Sequence, residues 1–211
     1  ILALLAAVQV DQARIDDAVR RGVDFLKTAE SPGHNMIAHA DELILYTFII
    51  AGLPPADERF RKLLDRVLAE EPTHTYRVAL QAVLLEELDR ARYQERIARC
   101  AQFLVDNQCL NGQWSYGEPT RIAKDDSVAS GGAGKGLRRI SIRPQRSGPP
   151  DGDNSNSQYA ALGLRACHDA GIVLPESTIR RAERWWEATL ALDKAAGRNA
   201  VASGVDTPQG W

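Results

Sequence analysis

Two kinds of helical segment alternate along this chain, and the alternation limits what it can fold into. One kind carries charge on its outer face: 20–26 (RRGVDFL), 61–68 (RKLLDRVL), 99–104 (RCAQFL) and 181–186 (RAERWW). The other is apolar nearly all round: 43–52 (LILYTFIIAG), 78–85 (VALQAVLL) and 159–167 (YAALGLRAC). A helix apolar on every side belongs inside a fold, and an amphipathic one belongs on its outside. Seven helices are expected, over 11–29, 39–51, 57–71, 75–89, 93–108, 157–170 and 176–192. Ser31-Pro32-Gly33, Gly52-Leu53-Pro54-Pro55, Pro72 and Gly171 separate them. No stretch shows sustained alternation with β-branched residues, so no sheet is expected. The pair Phe25-Leu26 recurs at Val67-Leu68 and Phe103-Leu104. That spacing of roughly 40 residues marks stacked helical hairpins.

Bulk properties exclude several classes. With 211 residues, 44% hydrophobic and 26% charged, the chain has the makeup of a soluble globular domain with a sizeable core. A net charge of −2 gives no basic surplus for nucleic acid or an anionic membrane. No run approaches the roughly 20 apolar residues of a membrane span. Cys100, Cys109 and Cys167 are odd in number and lack CxxC spacing, so neither a disulfide framework nor a zinc cluster follows. The opening ILALLAAV reads in two ways. It is the tail of a secretory signal peptide, which would make the protein exported or periplasmic, or it is a first core helix of a cytoplasmic one. The missing initial Met and the bare ending Pro208-Gln209-Gly210-Trp211 suit a piece of a longer protein.

The most informative stretch is 99–114, RCAQFLVDNQCLNGQW. Ile97, Cys100, Ala101, Leu104 and Val105 share one helical face. Asn111-Gly112 is the expected helix stop, since Gly reaches the left-handed conformation of a C-cap. Gln108, in the last turn, is placed to bond backbone carbonyls there or in an adjoining turn, and Trp114 follows two residues past the stop. Helix, glutamine, glycine turn and tryptophan form a module that ties one helix end to the next.

This stretch resembles the QW repeat of squalene–hopene cyclases and related prenyltransferases, with Arg99, Phe103, Leu104, Gln108, Gly112 and Trp114 at the motif positions and Cys100 where Gly or Ala is usual. Partial copies begin at Arg21-Gly22 and Arg181-Ala182, with Glu30 and Leu190 where Gln belongs. The resemblance implies an all-α fold, an α/α-toroid of inner parallel helices around a cavity with outer helices antiparallel to them. In that picture residues 11–211 are one incomplete toroid with an irregular insertion at about 116–152, and 1–10 are the signal-like remnant.

The insertion is rich in Gly, Ser, Pro and Arg. Its GGAGKG is no phosphate loop, because Ala129 stands where the first Gly is required and Gly136 where Ser or Thr must follow the Lys. It reads as a flexible surface segment with Arg138, Arg139, Arg143 and Arg146 solvated, or as a basic contact for a partner protein.

If the inner helices run parallel, their N-termini open on one mouth. The polar residues there are His39, Asp41, His74, Tyr76, Asp153, Ser155, Asn156 and Gln158. Helix capping accounts for some of them, and a binding mouth for the rest. In the cyclases that this chain resembles, the inner helix opens with D-x-D-D, whose middle Asp protonates an alkene. Here the residues are Asp153-Asn154-Ser155-Asn156, and neither a serine hydroxyl nor an asparagine amide supplies such a proton. A prenyltransferase zinc site is not evident either, since Cys167 and His168 are adjacent and point about 100° apart on a helix. His39, Asp41 and His74 are a conceivable metal or acid–base group, with ordinary hydrogen-bonded histidines as the alternative. Trp114, Trp185, Trp186 and Trp211 read first as packing residues. Three roles follow: a non-catalytic domain binding a peptide, glycan or apolar ligand at the mouth; a cyclase or prenyltransferase fragment with its active residues elsewhere; or a scaffold in an exported protein. No cofactor is expected.

Overall fold

A computed structural model of the protein describes residues 11–29, 41–71, 73–119 and 136–203, with side chains to residue 190. The signal-like opening, His39, the Gly-rich run 131–135 and Trp211 lie outside the described residues. Two compact units divide the chain, Ile1–Glu70 and Glu71–Trp211.

The first unit holds α1 (Gln12–Thr28), α2 (Asp41–Ile50) and α3 (Glu58–Ala69). Asp11 and Asp57 start α1 and α3 as N-caps, each carboxylate accepting from two backbone N–H groups of the first turn. Asp57 also pairs with Lys27 of α1 at 2.7 Å. That ammonium holds the Asp57 carboxyl below its usual range. Leu45 and Phe48 of α2 and Phe60, Leu63 and Val67 of α3 are buried. By contrast α1 has no buried residue, and Phe25 is 69% exposed. The first member of the pair is therefore exposed at Phe25, with Leu26 half-buried, whereas Val67 and the pair Phe103-Leu104 are buried.

The second unit holds α4 (Thr75–Asp89), α5 (Gln94–Asp106), α6 (Asn154–Asp169) and α7 (Glu176–Ser203). The apolar α4 and α6 pack together through small residues. At Gly163, a Cβ would lie 2.7 Å from the Cα of Ala79, so the two backbones touch where neither side chain intrudes. Their polarity is fixed at both ends. Thr75, opening α4, donates from its N–H to the Tyr116 carbonyl (2.7 Å), and Asp153, capping α6, donates from its N–H to the Trp114 carbonyl (2.9 Å). At the far ends Arg90 reaches the Asp169 carbonyl (3.5 Å). So α4 and α6 run parallel. Gln94, which opens α5, donates to the Ala170 carbonyl just past α6 (2.7 Å), so α5 runs antiparallel to both. The chain is all-helical in class, as expected, with seven helices among the described residues.

Three expectations need correction. A sheet does exist, though a minimal one: β1 (Ile140–Ser141) pairs in parallel with β2 (Ile172–Val173). The sixth helix opens at Asn154 rather than Ser157, because Asp153 is its cap, and the seventh runs on to Ser203. Third, residues 136–152 are not a freely solvated segment. They form an extended strap along α5, fastened by that helix's polar side chains. Gln94 donates to the Arg138 carbonyl (2.6 Å), Gln102 donates to the Arg143 carbonyl (2.8 Å), and Asp106 accepts from the Gln145 N–H (2.7 Å). Arg138 pairs with Glu95 at 3.2 Å, and Arg146 pairs with Glu118.

Replacing Gly163 by Ala is expected to destabilise the second unit by about 1–3 kcal/mol in urea unfolding, through overpacking against α4. Replacing Gly22 by Ala, where a Cβ meets nothing within 4 Å, is expected to stabilise α1 by roughly 0.5–1 kcal/mol.

Candidate functional site

The site grows from the end of α5. The helix ends at Asp106 with Asn107 as its cap, within two residues of the expected end at Gln108, but Asn111-Gly112 is not its stop. The Asn107 side chain is the reason: its amide donates to the Phe103 and Glu118 carbonyls (3.0 Å each) and its oxygen accepts from the Glu118 N–H (2.8 Å). Phe103 thus accepts from both the N–H and the side-chain amide of Asn107, and the next carbonyl, that of Leu104, accepts from the Trp114 indole nitrogen. Gly112 serves a different purpose. It sits at φ +102 in the following turn, and a Cβ there would lie 2.3 Å from the Arg181 carbonyl oxygen of α7. Only glycine fits both the left-handed backbone and that approach.

Gln108 and Trp114 bracket this turn. Gln108 is completely buried, and its amide donates to the carbonyls of Gly112 (3.1 Å) and Thr178 in α7 (2.9 Å). Trp114, 1% exposed, donates from its indole nitrogen to the Leu104 carbonyl (2.7 Å), and its backbone N–H donates to the Ser157 hydroxyl of α6 (3.0 Å). Phe103 and Leu104 fill the core beneath, and Arg99 reaches Glu71 at 2.8 Å. The stretch thus ties α5 to α6 and α7.

The same turn gathers the N-termini of α4 and α6. The Thr75 hydroxyl donates to the Ser115 carbonyl (2.6 Å) and its N–H to that of Tyr116, one residue on. Flanking it are His74, which is exposed and makes no side-chain cap bond, and Tyr76, half-buried. Their rings lie 6.0 Å apart, and the Tyr76 ring lies 6.4 Å from that of Tyr159 on α6. A row of three aromatic rings therefore crosses from one helix tip to the other. On the α6 side Asp153 accepts from the Asn156 N–H (2.8 Å), the Asn156 amide (2.8 Å) and the Ser155 hydroxyl (2.6 Å). Partial burial pushes the Asp153 carboxyl up, but these hydrogen bonds outweigh it and hold the group below its ordinary value. Gln158 is exposed one turn along.

Of the residues expected at a shared mouth, the second unit brings together His74, Tyr76, Asp153, Ser155, Asn156 and Gln158. Asp41 belongs to the first unit, where it is buried and accepts from Arg66 of α3 at 3.0 Å. Tyr159 is the residue that the sequence reading passed over, counted within an apolar run. Its spacing of four from Ser155 was the available signal, because it places Tyr159 on the same face one turn in. Among the described residues, no group of three or more His, Cys, Asp or Glu side chains could hold a metal ion, and no helix is long and apolar enough to cross a membrane. Comparison with family models, curated proteins and solved structures finds no match.

Replacing Gln108 by Ala removes two buried hydrogen bonds, to the Gly112 and Thr178 carbonyls, and about 1–3 kcal/mol of stability should be lost in chemical denaturation. Replacing Asp153 by Ala should cost about 1 kcal/mol at neutral pH through the lost cap. Because the folded Asp153 titrates below its unfolded value, its contribution is complete above the unfolded pKa and vanishes as acid protonates the folded carboxylate. The gap between wild type and Asp153→Ala should therefore narrow on acidification in parallel urea titrations.

Proposed function

We propose that this chain is a helical repeat domain of the squalene-cyclase and prenyltransferase type that binds a ligand where its inner helices open, without catalysing cyclisation. The observation that carries the reading is the shared tip of α4 and α6. Two parallel helices end side by side on one turn, with His74, Tyr76 and Tyr159 in a row and the polar groups of Asp153, Ser155 and Gln158 beside them. Aromatic rings with wet edges suit a ligand that has an apolar face and a polar rim, such as a peptide or a glycan.

The same tip speaks against alkene protonation. At the position of the cyclase acid stands Ser155, whose hydroxyl donates to Asp153. Asp153 itself is stabilised as the carboxylate by its three donors and is spent on capping α6. A Brønsted acid strong enough for an alkene needs the reverse, a carboxyl kept protonated and poor in donors.

Titrating isotope-labelled protein with oligosaccharide mixtures and with peptide libraries should shift backbone resonances around 74–76 and 153–159. Affinity should fall roughly tenfold when Tyr76 and Tyr159 are both replaced by Ala, as the loss of two stacking rings implies. Incubation with squalene or a prenyl diphosphate should give no product, and product formation abolished by Asp153→Ala would overturn the reading.

A further inference from the structure

A second concave site lies on the other side of α6, away from the aromatic row. It is a groove of about 810 Å³ between α6, β2 and the first turns of α7, and its walls include Trp114, Leu164, Ile172 and Trp186. The volume falls in the range of small-molecule sites, and the lining has their makeup: apolar walls with few polar side chains. The charged groups are not scattered evenly around it. Arg165 and His168 stand one turn apart on α6, and Arg139 joins them from the strap. Asp169 lies 3.6 Å from Arg165 and 3.3 Å from His168, so one carboxylate serves two basic groups. Glu86 of α4 also faces Arg165 but is opposed by Arg90 at 3.5 Å. Arg139 and Arg165 thus stand on the α6–strap side of the groove, Arg165 with Asp169 beside it, while the carboxylate of Glu183 lies on the α7 wall.

We infer that this groove binds a free aliphatic carboxylate, with the chain along the accessible Leu174, Ile179 and Trp186 side chains and the carboxylate at Arg139 and Arg165. Each methylene withdrawn from water contributes about 0.8 kcal/mol, so chain length sets affinity. The basic rim sets head-group preference, because a guanidinium bonds a carboxylate with charge assistance that a hydroxyl cannot match. The site is separate from the mouth of the proposed function and stands or falls independently of it.

The test uses the whole chain at neutral pH and three twelve-carbon probes below their micelle concentrations: dodecanoate, dodecanol and dodecyltrimethylammonium. Calorimetry should show dodecanoate binding about tenfold more tightly than dodecanol, with the ammonium weakest. Replacing Arg139 and Arg165 together by Gln should erase the difference between acid and alcohol while leaving alcohol binding in place. Replacing Ala161, an exposed residue of the lining, by Trp should block all three, with circular dichroism confirming the fold. Equal affinity for the three probes, or dodecanoate binding unchanged in Ala161→Trp, would overturn the assignment. So would sedimentation with phosphatidylglycerol vesicles without dodecanoate binding, which would make the surface a membrane contact.

Discussion

Everything in the second unit leans on the backbone of Trp114 and its two successors. One carbonyl accepts from the cap of α6, the next two accept from the first residue of α4, and the Trp114 N–H finds the Ser157 hydroxyl. The Trp114–Ser157 bond is buried and the Thr75–Ser115 bond partly so, and an unpaired amide in such a place costs more than a paired one gains. The turn therefore has little freedom to shift without opening several donors at once. It sets the common polarity of α4 and α6, and so decides that their tips share one end.

The packing around that turn obeys a simple division of labour. Apolar helices meet through small side chains, as at Gly163 and Ala79, which lets the main chains approach. The amphipathic α5 turns Phe103 and Leu104 inward, but it and the two residues after it also bury polar groups, Gln94, Asp106, Asn107 and Gln108, each at most 4% exposed. Buried amides and carboxylates of that kind are stable only when matched, and here the match is largely main chain: the strap, the loop after α6 and the start of α7. Cys167, deep in the same interior, has its thiol pushed upward by burial and stays a packing residue.

This explains what the amino-acid order made visible and what it hid. Helices were legible because their apolar positions recur at three and four, and the caps Asp11, Asp57 and Asp153 are the residue type that such positions favour. The stretch 99–114 was legible as a connector, since an amide between a helix end and a glycine turn has few other uses. The strap was not. Apart from the pairs that Arg138 and Arg146 make, its order rests on polar side chains some forty positions away on α5. Gln102 and Asp106 look like ordinary wet positions on an amphipathic helix, and nothing local says that their partners are carbonyls and amides of another segment. What stops α5 was hidden for a related reason. Glycine at 112 suggested a cap, whereas the real stop is the Asn107 side chain, and the glycine answers to α7.

Fastening by main chain has an evolutionary corollary. A strap gripped through its carbonyls and N–H groups can exchange its exposed side chains without losing its path, on two conditions. Gly148 and Gly152, which lie against the Asn107 and Trp114 carbonyls, must stay glycine, and Gln94, Gln102 and Asp106 of α5 and its cap Asn107 must persist. Mutational drift is thus free to rewrite the surface composition there, including the basic rim contributed by Arg139, while the geometry beneath stays put. New specificities could be sampled on that edge of the molecule at little risk to folding.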